Sequence, residues 1–331
     1  MRENMNNELP DIIDLFCGCG GMSLGFQNAS FKVIHGFDNW QPAVETYSQN
    51  LDHDARLTDL GDIEQTIEAL QPFFSELGTT PAIIGGPPCQ DFSSAGKRVE
   101  GTRADLTEKF AMIVSHFNPP FFVMENVPRA KSARVYKSAL DRIKAAGYNV
   151  ISLEINANRC KVPQNRKRLF TIGTKTESLI ISIKELIERN QDENAHTLRD
   201  EFGDSLGVEH FYMHPRSYTR RGIFSIDEPS PTIRGVNRPI PPNYGMHPND
   251  TSTTKGIRHL STIERAQIQT FPSTFKLPDA KTTAEQLIGN AVPVRLAEFI
   301  ATQIKTAYAL SDWNEPGTKN YESAAVNECA E

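Results

Sequence analysis

The chain has 331 residues, with 35 Lys and Arg against 41 Asp and Glu, a formal net charge of −6 at pH 7. That length can bury a full core and fits one large domain or two unequal ones. No apolar run approaches the roughly 18 residues of a membrane span, which excludes a membrane-spanning helix and any membrane partner. MRENMNNELP at the start lacks the apolar stretch of a secretory signal. The cysteines (Cys17, Cys19, Cys89, Cys160, Cys329) are odd in number and lack framework spacing, which predicts reduced thiols in a cytoplasmic protein. Cys17 and Cys19, in CGCG, have no second Cys or His pair at zinc spacing, so no metal is expected.

In chain order, short apolar strands alternate with amphipathic segments, as a parallel sheet flanked by helices requires. DIIDLF (11–16) is a strand ending in a glycine turn, and FKVIHGF (31–37) is the next. PAIIGG (81–86) and FFVMENV (121–127) read as buried strands. Helices are expected near 105–117, where Phe110, Ile113, Val114 and Phe117 keep a 3–4 spacing, and near 137–147, stopped by Gly147. After LFTIG (169–173) the character changes: 175–257 is rich in Pro, Asn, Asp, Arg and Ser, with a short helix near 178–190. Helical pattern returns at 260–272 and at 284–308, where GNAVP interrupts it. The expected organisation is a catalytic domain over 1–173, a small irregular domain over 174–257, a return over 258–310 and a disordered tail over 311–331.

A net negative charge argues mildly against a nucleic-acid partner, but binding depends on where cations cluster. Residues 129–168 hold eleven Lys and Arg against Asp141 and Glu154, and Arg216, Arg220, Arg221, Arg234 and Arg238 form a second run. Such runs are equally common as solvated faces, so charge alone leaves the question open.

Four segments carry chemistry. In DLFCGCGGMSLGF (14–26), Gly18, Gly20 and Gly21 permit a tight turn at a helix start, suited either to a ligand or simply to the turn. Asp38 ends the following strand, where a carboxylate accepts ribose hydroxyls, and Asp62 in GDI suits an adenine amino group. The turn reads GCGGMS rather than GxGxxG, which favours a smaller adenosine-bearing cofactor over a dinucleotide. In GGPPCQDFSSAG (85–96), two prolines fix where Cys89 points. A lone cysteine is ordinarily inert and buried, yet this one follows the carboxyl end of a strand, where open α/β sheets place their sites. The polar SSAGKRVEGT beyond it suits a lid. ENVPR (125–129) ends another strand with Glu125, a residue equally able to cap a helix. QNRKR (164–168) sets Arg166 and Arg168 on one side of an extended chain.

With these motifs in order, followed by STIERAQIQTFP and GNAVP, the chain resembles the cytosine carbon-5 methyltransferases, chiefly the bacterial modification enzymes. The resemblance covers roughly 11–173 and 258–305. It implies a Rossmann-like α/β fold that binds S-adenosyl-L-methionine, with a smaller irregular target-recognition domain. It further implies methyl transfer to carbon 5 of a cytosine flipped out of double-stranded DNA, in a restriction-modification setting. Cys89 would be the covalent nucleophile, needed because carbon 5 is too poor a nucleophile until a thiolate adds at carbon 6. Glu125 would bond the cytosine N3 and amine, Arg168 would hold its O2, Arg166 would orient Glu125 or the loop, and Asn126 would anchor the base or nearby backbone. Phe16, Gly18, Gly20, Asp38, Asp62, Ile63, Pro87 and Asn290 would line the cofactor. Two departures stand out. Asn39 replaces a bulky side chain that stacks on adenine, leaving that packing to Ile63; Trp40 fills a second acidic position, leaving the ribose to Asp38. A monomer is expected, with any companion endonuclease acting separately. The alternative is an RNA (tRNA) cytosine-5 methyltransferase, a branch that shares PPCQ, ENV and the paired arginines.

Overall fold

The computed structural model describes residues 9–75, 80–88, 106–217 and 219–311. The first half alternates as the sequence predicts: β1 (Ile12–Leu15), α1 (Gly21–Asn28), β2 (Val33–Asp38), α2 (Gln41–Ser48), β3 (Ala55–Leu57), α3 (Ile63–Ser75), β4 (Ala82–Gly85), α4 (Leu106–Phe117), β5 (Phe121–Asn126), α5 (Arg134–Ala145) and β6 (Asn149–Asn156). There follow β7 (Gln164–Asn165), β8 (Lys167–Thr174) and α6 (Glu177–Arg189). The small region contributes α7 (Leu198–Phe202) and the short strands β9 (His210–Tyr212), β10 (Ile223–Ser225), β11 (Ser230–Pro231) and β12 (Arg258–His259). The chain closes with α8 (Thr262–Ile268), α9 (Lys281–Asn290) and α10 (Val294–Ser311), so GNAVP does separate two helices. The predicted tail lies outside the described residues beyond 311.

Seven strands form one sheet in the order β3-β2-β1-β4-β5-β8-β6. The five strands from β3 to β5 are parallel, but β8 runs antiparallel to both neighbours, so the sheet is mixed rather than parallel throughout. Successive side chains of a strand face opposite sides, and here each side is buried. Ile12, Ile84, Phe121, Val123 and Ile172 pack with α1, α6 and α10 on one face. Ile13, Leu15, Ile83, Phe122 and Met124 pack with α3, α4 and α5 on the other.

The helix α6, expected within the small domain, buries Leu179, Ile180, Ile183, Leu186 and Ile187 in the first of these cores. The expected boundary at 173/174 therefore falls inside a packed layer, and we place the start of the small region after Arg189. That region has its own core, in which Phe211, Phe224, Ile226 and Ile233 meet Ala266, Leu287 and Ile288. Cys19 of the glycine turn joins the same cluster.

One polar group lies deep beneath that turn. Asp14 of β1 is buried, its Oδ2 accepts the Ser23 hydroxyl at 2.7 Å, and its Oδ1 has no partner. Ser23 shares a second bond with the Tyr47 hydroxyl at 2.7 Å. Burial, aided by the charge of Asp38, pushes the Asp14 carboxyl up to about 7 despite the Ser23 bond. Between its unfolded value near 3.8 and about 7, the folded chain holds a proton the unfolded chain has released. Stability therefore falls as pH rises through that window and levels off above it. From pH 5 to pH 8, wild-type protein is expected to lose about 2–3 kcal/mol more than Asp14→Asn, as urea unfolding at the two pH values will check.

Candidate active site

The carboxyl ends of β1, β2, β4 and β5 meet along one edge of the sheet, where an open α/β fold presents its ligand sites. After β1 the backbone turns through left-handed conformations at Phe16 (φ 57°), Gly18 (φ 54°) and Gly20 (φ 91°) before α1 begins. Only the glycines adopt this region without cost, so the strained residue is Phe16.

Asp38, at the end of β2, closes this turn. The Gly18 N–H donates to its Oδ2 and the Trp40 N–H to its Oδ1, each at 2.9 Å. Burial raises the Asp38 carboxyl above its usual range, and the N–H groups of Gly18, Trp40 and Asn39 oppose that rise. Trp40 thus contributes a backbone donor to the carboxylate. Asp62 is exposed and accepts the Gln65 N–H at 3.1 Å, capping the start of α3, with half-buried Ile63 beside it.

The C-terminal segment meets the turn from the other side. Cys19 Sγ donates to Leu287 O at 3.8 Å, and a Cβ on Gly21 would sit 2.3 Å from Val292 O. Asn290, exposed at the end of α9, lies between these two contact points in the sequence.

At the end of β5, Glu125 pairs with Arg168: Oε1 to Nε is 2.7 Å, and the side chains are only 12 % and 13 % exposed. Burial pushes the Arg168 guanidinium down from its ordinary value while Glu125 holds it up. Glu125 Oε2 reaches to within 3.2 Å of where a Cβ of Gly86 would stand, so the carboxylate sits against the strand-end that leads into PPC. Asn126 donates through Nδ2 to Pro87 O at 3.2 Å, so it anchors backbone. Cys89 and the expected lid that follows it lie outside the described residues.

Arg166 departs from expectation. Its own N–H bonds to Gln164 O at 3.0 Å, kinking the chain between β7 and β8, so Arg166 and Arg168 diverge rather than share a face. Arg166 is 1 % exposed and donates to the carbonyls of Ile233, Gly289 and Ala291, not to Glu125. Sequence reasoning also missed Gln164 and Gln269, both fully buried and bonded to each other at 2.6 Å. Their only signal is that each is polar inside an otherwise apolar motif.

A carboxylate-closed glycine turn, with a Glu–Arg pair on the same sheet edge, defines an α/β enzyme built around an adenosine-bearing cofactor. The chain matches the family of C-5 cytosine-specific DNA methylases over residues 11–306, and it belongs to that family. It is 48% identical over 294 residues to the Type II methyltransferase M.HgiDI of Herpetosiphon aurantiacus, covering 88% of this chain and 93% of that one. It is 46% identical to the Type II methyltransferase M.HindV of Haemophilus influenzae, covering 88% and 95%. Among solved structures, a prophage-encoded DNA modification methyltransferase from E. coli superposes with a TM-score of 0.66 at 21% identity, covering 91% of this chain and all of that one. The Dnmt2 methyltransferase of S. pombe does so at 0.64 and 16%, covering 93% and all of its chain. These two likenesses bear on the fold alone.

The family uses S-adenosylmethionine as methyl donor. Asp38→Ala is expected to weaken its binding by about 1.5–3 kcal/mol, the scale of bonds to a charged group, with slight effect on DNA affinity. Calorimetry checks this; unchanged affinity would remove Asp38 from the site.

Proposed function

We propose that this enzyme methylates carbon 5 of a cytosine swung out of a specific duplex site, as the modification half of a Type II restriction-modification system. The observation that carries the reading is the 2.7 Å Glu125–Arg168 pair, set against Gly86 at the entry to the Cys89 loop. The names of the relatives supply the Type II setting. For an RNA target the support is one of fold, through a Dnmt2 structure only 16% identical.

The donor fits the turn: a Cβ on Gly18 would meet nothing within 4 Å, and the buried Asp38 carboxylate borders that space. Phe16, Gly18, Gly20, Asp38, Asp62, Ile63, Pro87 and Asn290 would hold it. Bound there, it supplies an electrophilic methyl group. The Cys89 thiolate adds to carbon 6, and Glu125 shares a proton with N3 as negative charge develops there. Arg168 steadies the Glu125 carboxylate and reaches the cytosine O2. Once carbon 5 carries the methyl group, a base takes the proton from that carbon, the ring double bond re-forms and Cys89 leaves with the electrons of its C–S bond. Flipping the base costs a few kcal/mol, offset by pocket contacts. The chain would act as a monomer on DNA in the bacterial cytosol, and any companion endonuclease would work separately.

Two of the five small-region arginines are already committed within the fold. Arg221 pairs with Glu228 and lies over the Phe224 ring, 4.3 Å from its centroid. Arg234 donates to His214 O, and its own carbonyl accepts from Arg265. Arg216, Arg220 and Arg238 are exposed and form no ion pair among the described residues. Arg216 and Arg220 also press the Arg234 guanidinium down, as like charges gathered in one place do. We assign DNA contact to these three and scaffolding to the other two.

Cys89→Ser is expected to abolish transfer with cofactor affinity near normal, and duplex DNA carrying 5-fluorocytosine should trap the wild-type protein covalently. Turnover by the Ser variant at a comparable rate would refute the covalent role.

Alanine variants of the arginines, profiled on a randomised duplex library by methylation sequencing, test the division. Loss of a base-reading arginine should cost about 1–3 kcal/mol and relax one position, whereas loss of a phosphate contact should weaken all sequences and flatten the salt slope by about one unit. If Arg216, Arg220 and Arg238 can all be replaced with neither effect, the assignment fails.

A further inference from the structure

Arg166 is a buried cation that the reaction does not use. Among the described residues no carboxylate bonds it; it donates through Nη1 to Ile233 O at 3.0 Å, and through Nη2 to Gly289 O at 3.1 Å and Ala291 O at 2.9 Å. Two buried amides bind the same backbone. Gln164 accepts the Ile233 N–H at 2.8 Å and donates to Gln269, which donates in turn to Ile288 O at 2.6 Å and Ala291 O at 3.1 Å. Just ahead of Ile233, β11 runs parallel beside β7.

Backbone also meets backbone here. A Cβ on Gly289 would stand 2.2 Å from Gly235 N and 2.4 Å from the Arg234 carbonyl carbon, closer than real Cβ atoms approach. Two residues past Ala291's neighbour Asn290, Val292 O presses on Gly21 of the cofactor turn in the same way. Contact is therefore continuous from 230–235, in the small region, through 288–292 to the glycine turn. Sliding either segment would strip a buried guanidinium or amide of its acceptors, which a low-dielectric interior penalises. The segments are held to move together.

We infer that this buried clasp couples donor binding to DNA binding: occupancy of the cofactor turn tightens the grip of the small region on DNA, and the reverse by the same factor. Arg166 is then a positioning residue shared by both sites. The inference rests on the proposed function for the identity of its two ligands. Such coupling is reciprocal by thermodynamic necessity and commonly amounts to a factor of about 5–150.

The test measures binding of the full chain to the duplex the library selects, with and without S-adenosylhomocysteine. In wild-type protein the nucleoside should tighten duplex binding at least about fivefold. Gly289→Ala wedges the two backbones apart while keeping every hydrogen-bonding side chain, and should bring the ratio close to one. Gly235→Ala, whose Cβ would meet Gln286 Cα at 3.2 Å, should keep it. A wild-type ratio near one, or an unchanged ratio in folded Gly289→Ala, overturns the inference. Should that variant fail to fold, hydrogen exchange on wild-type protein decides: S-adenosylhomocysteine must slow the amides of 230–235, and unchanged exchange overturns the coupling. Protein that shows the coupling but never methylates DNA would instead sink the proposed function.

Discussion

The burial of one guanidinium organises more of this molecule than any other single interaction. A buried cation without a carboxylate is costly unless its donors are filled, and Arg166 fills them from carbonyls 67, 123 and 125 positions away in the chain. Those acceptors belong to the small region and to the turn between α9 and α10. Satisfying Arg166 therefore requires the C-terminal segment to return across the sheet, which in turn brings Val292 against Gly21. The cofactor turn is shaped partly by a side chain from the far end of the sheet.

The mixed sheet serves the same end. In the antiparallel register Glu125 lies opposite Phe170 and Asn126 opposite Leu169, so β8 enters where β5 leaves. Arg168 therefore stands at the carboxyl end of β5, within reach of Glu125. A parallel strand in that place would begin at the opposite edge and carry its first residues away from the site. The strand direction is what makes a Glu–Arg pair possible between motifs 43 residues apart.

Much of the sheet was legible because buried strands and glycine turns leave local marks: IIDL before CGCGG, AIIG before PPC, FFVMEN before VPR. The helical spacing of Leu179, Ile183 and Ile187 was equally legible, but not which core it would join, because an apolar stripe does not name its partner. The divergence of Arg166 and Arg168 was hidden for a related reason. Two residues apart on a strand share a face, and nothing in QNRKR announces that the Arg166 N–H will turn back onto Gln164. Gln164 and Gln269 owe their burial to acceptors on remote segments, and no local pattern encodes those. Asp38 was found as a strand-end acid; that the Gly18 and Trp40 N–H groups would fix both of its oxygens was not.

The parallel pairing of β11 with β7 has a consequence for anyone wishing to change which DNA is recognised. Residues 230–235 look like part of the exchangeable small region, yet Ser230 and Pro231 are stitched to Gln164 and Asn165, and Gly235 lies on Gly289. They are host, not cassette. A chimaera with a relative's reading surface would take its insert from the stretches on either side, leaving this six-residue seam in place. Moving the junction by a few residues would graft a foreign edge onto the donor-binding half.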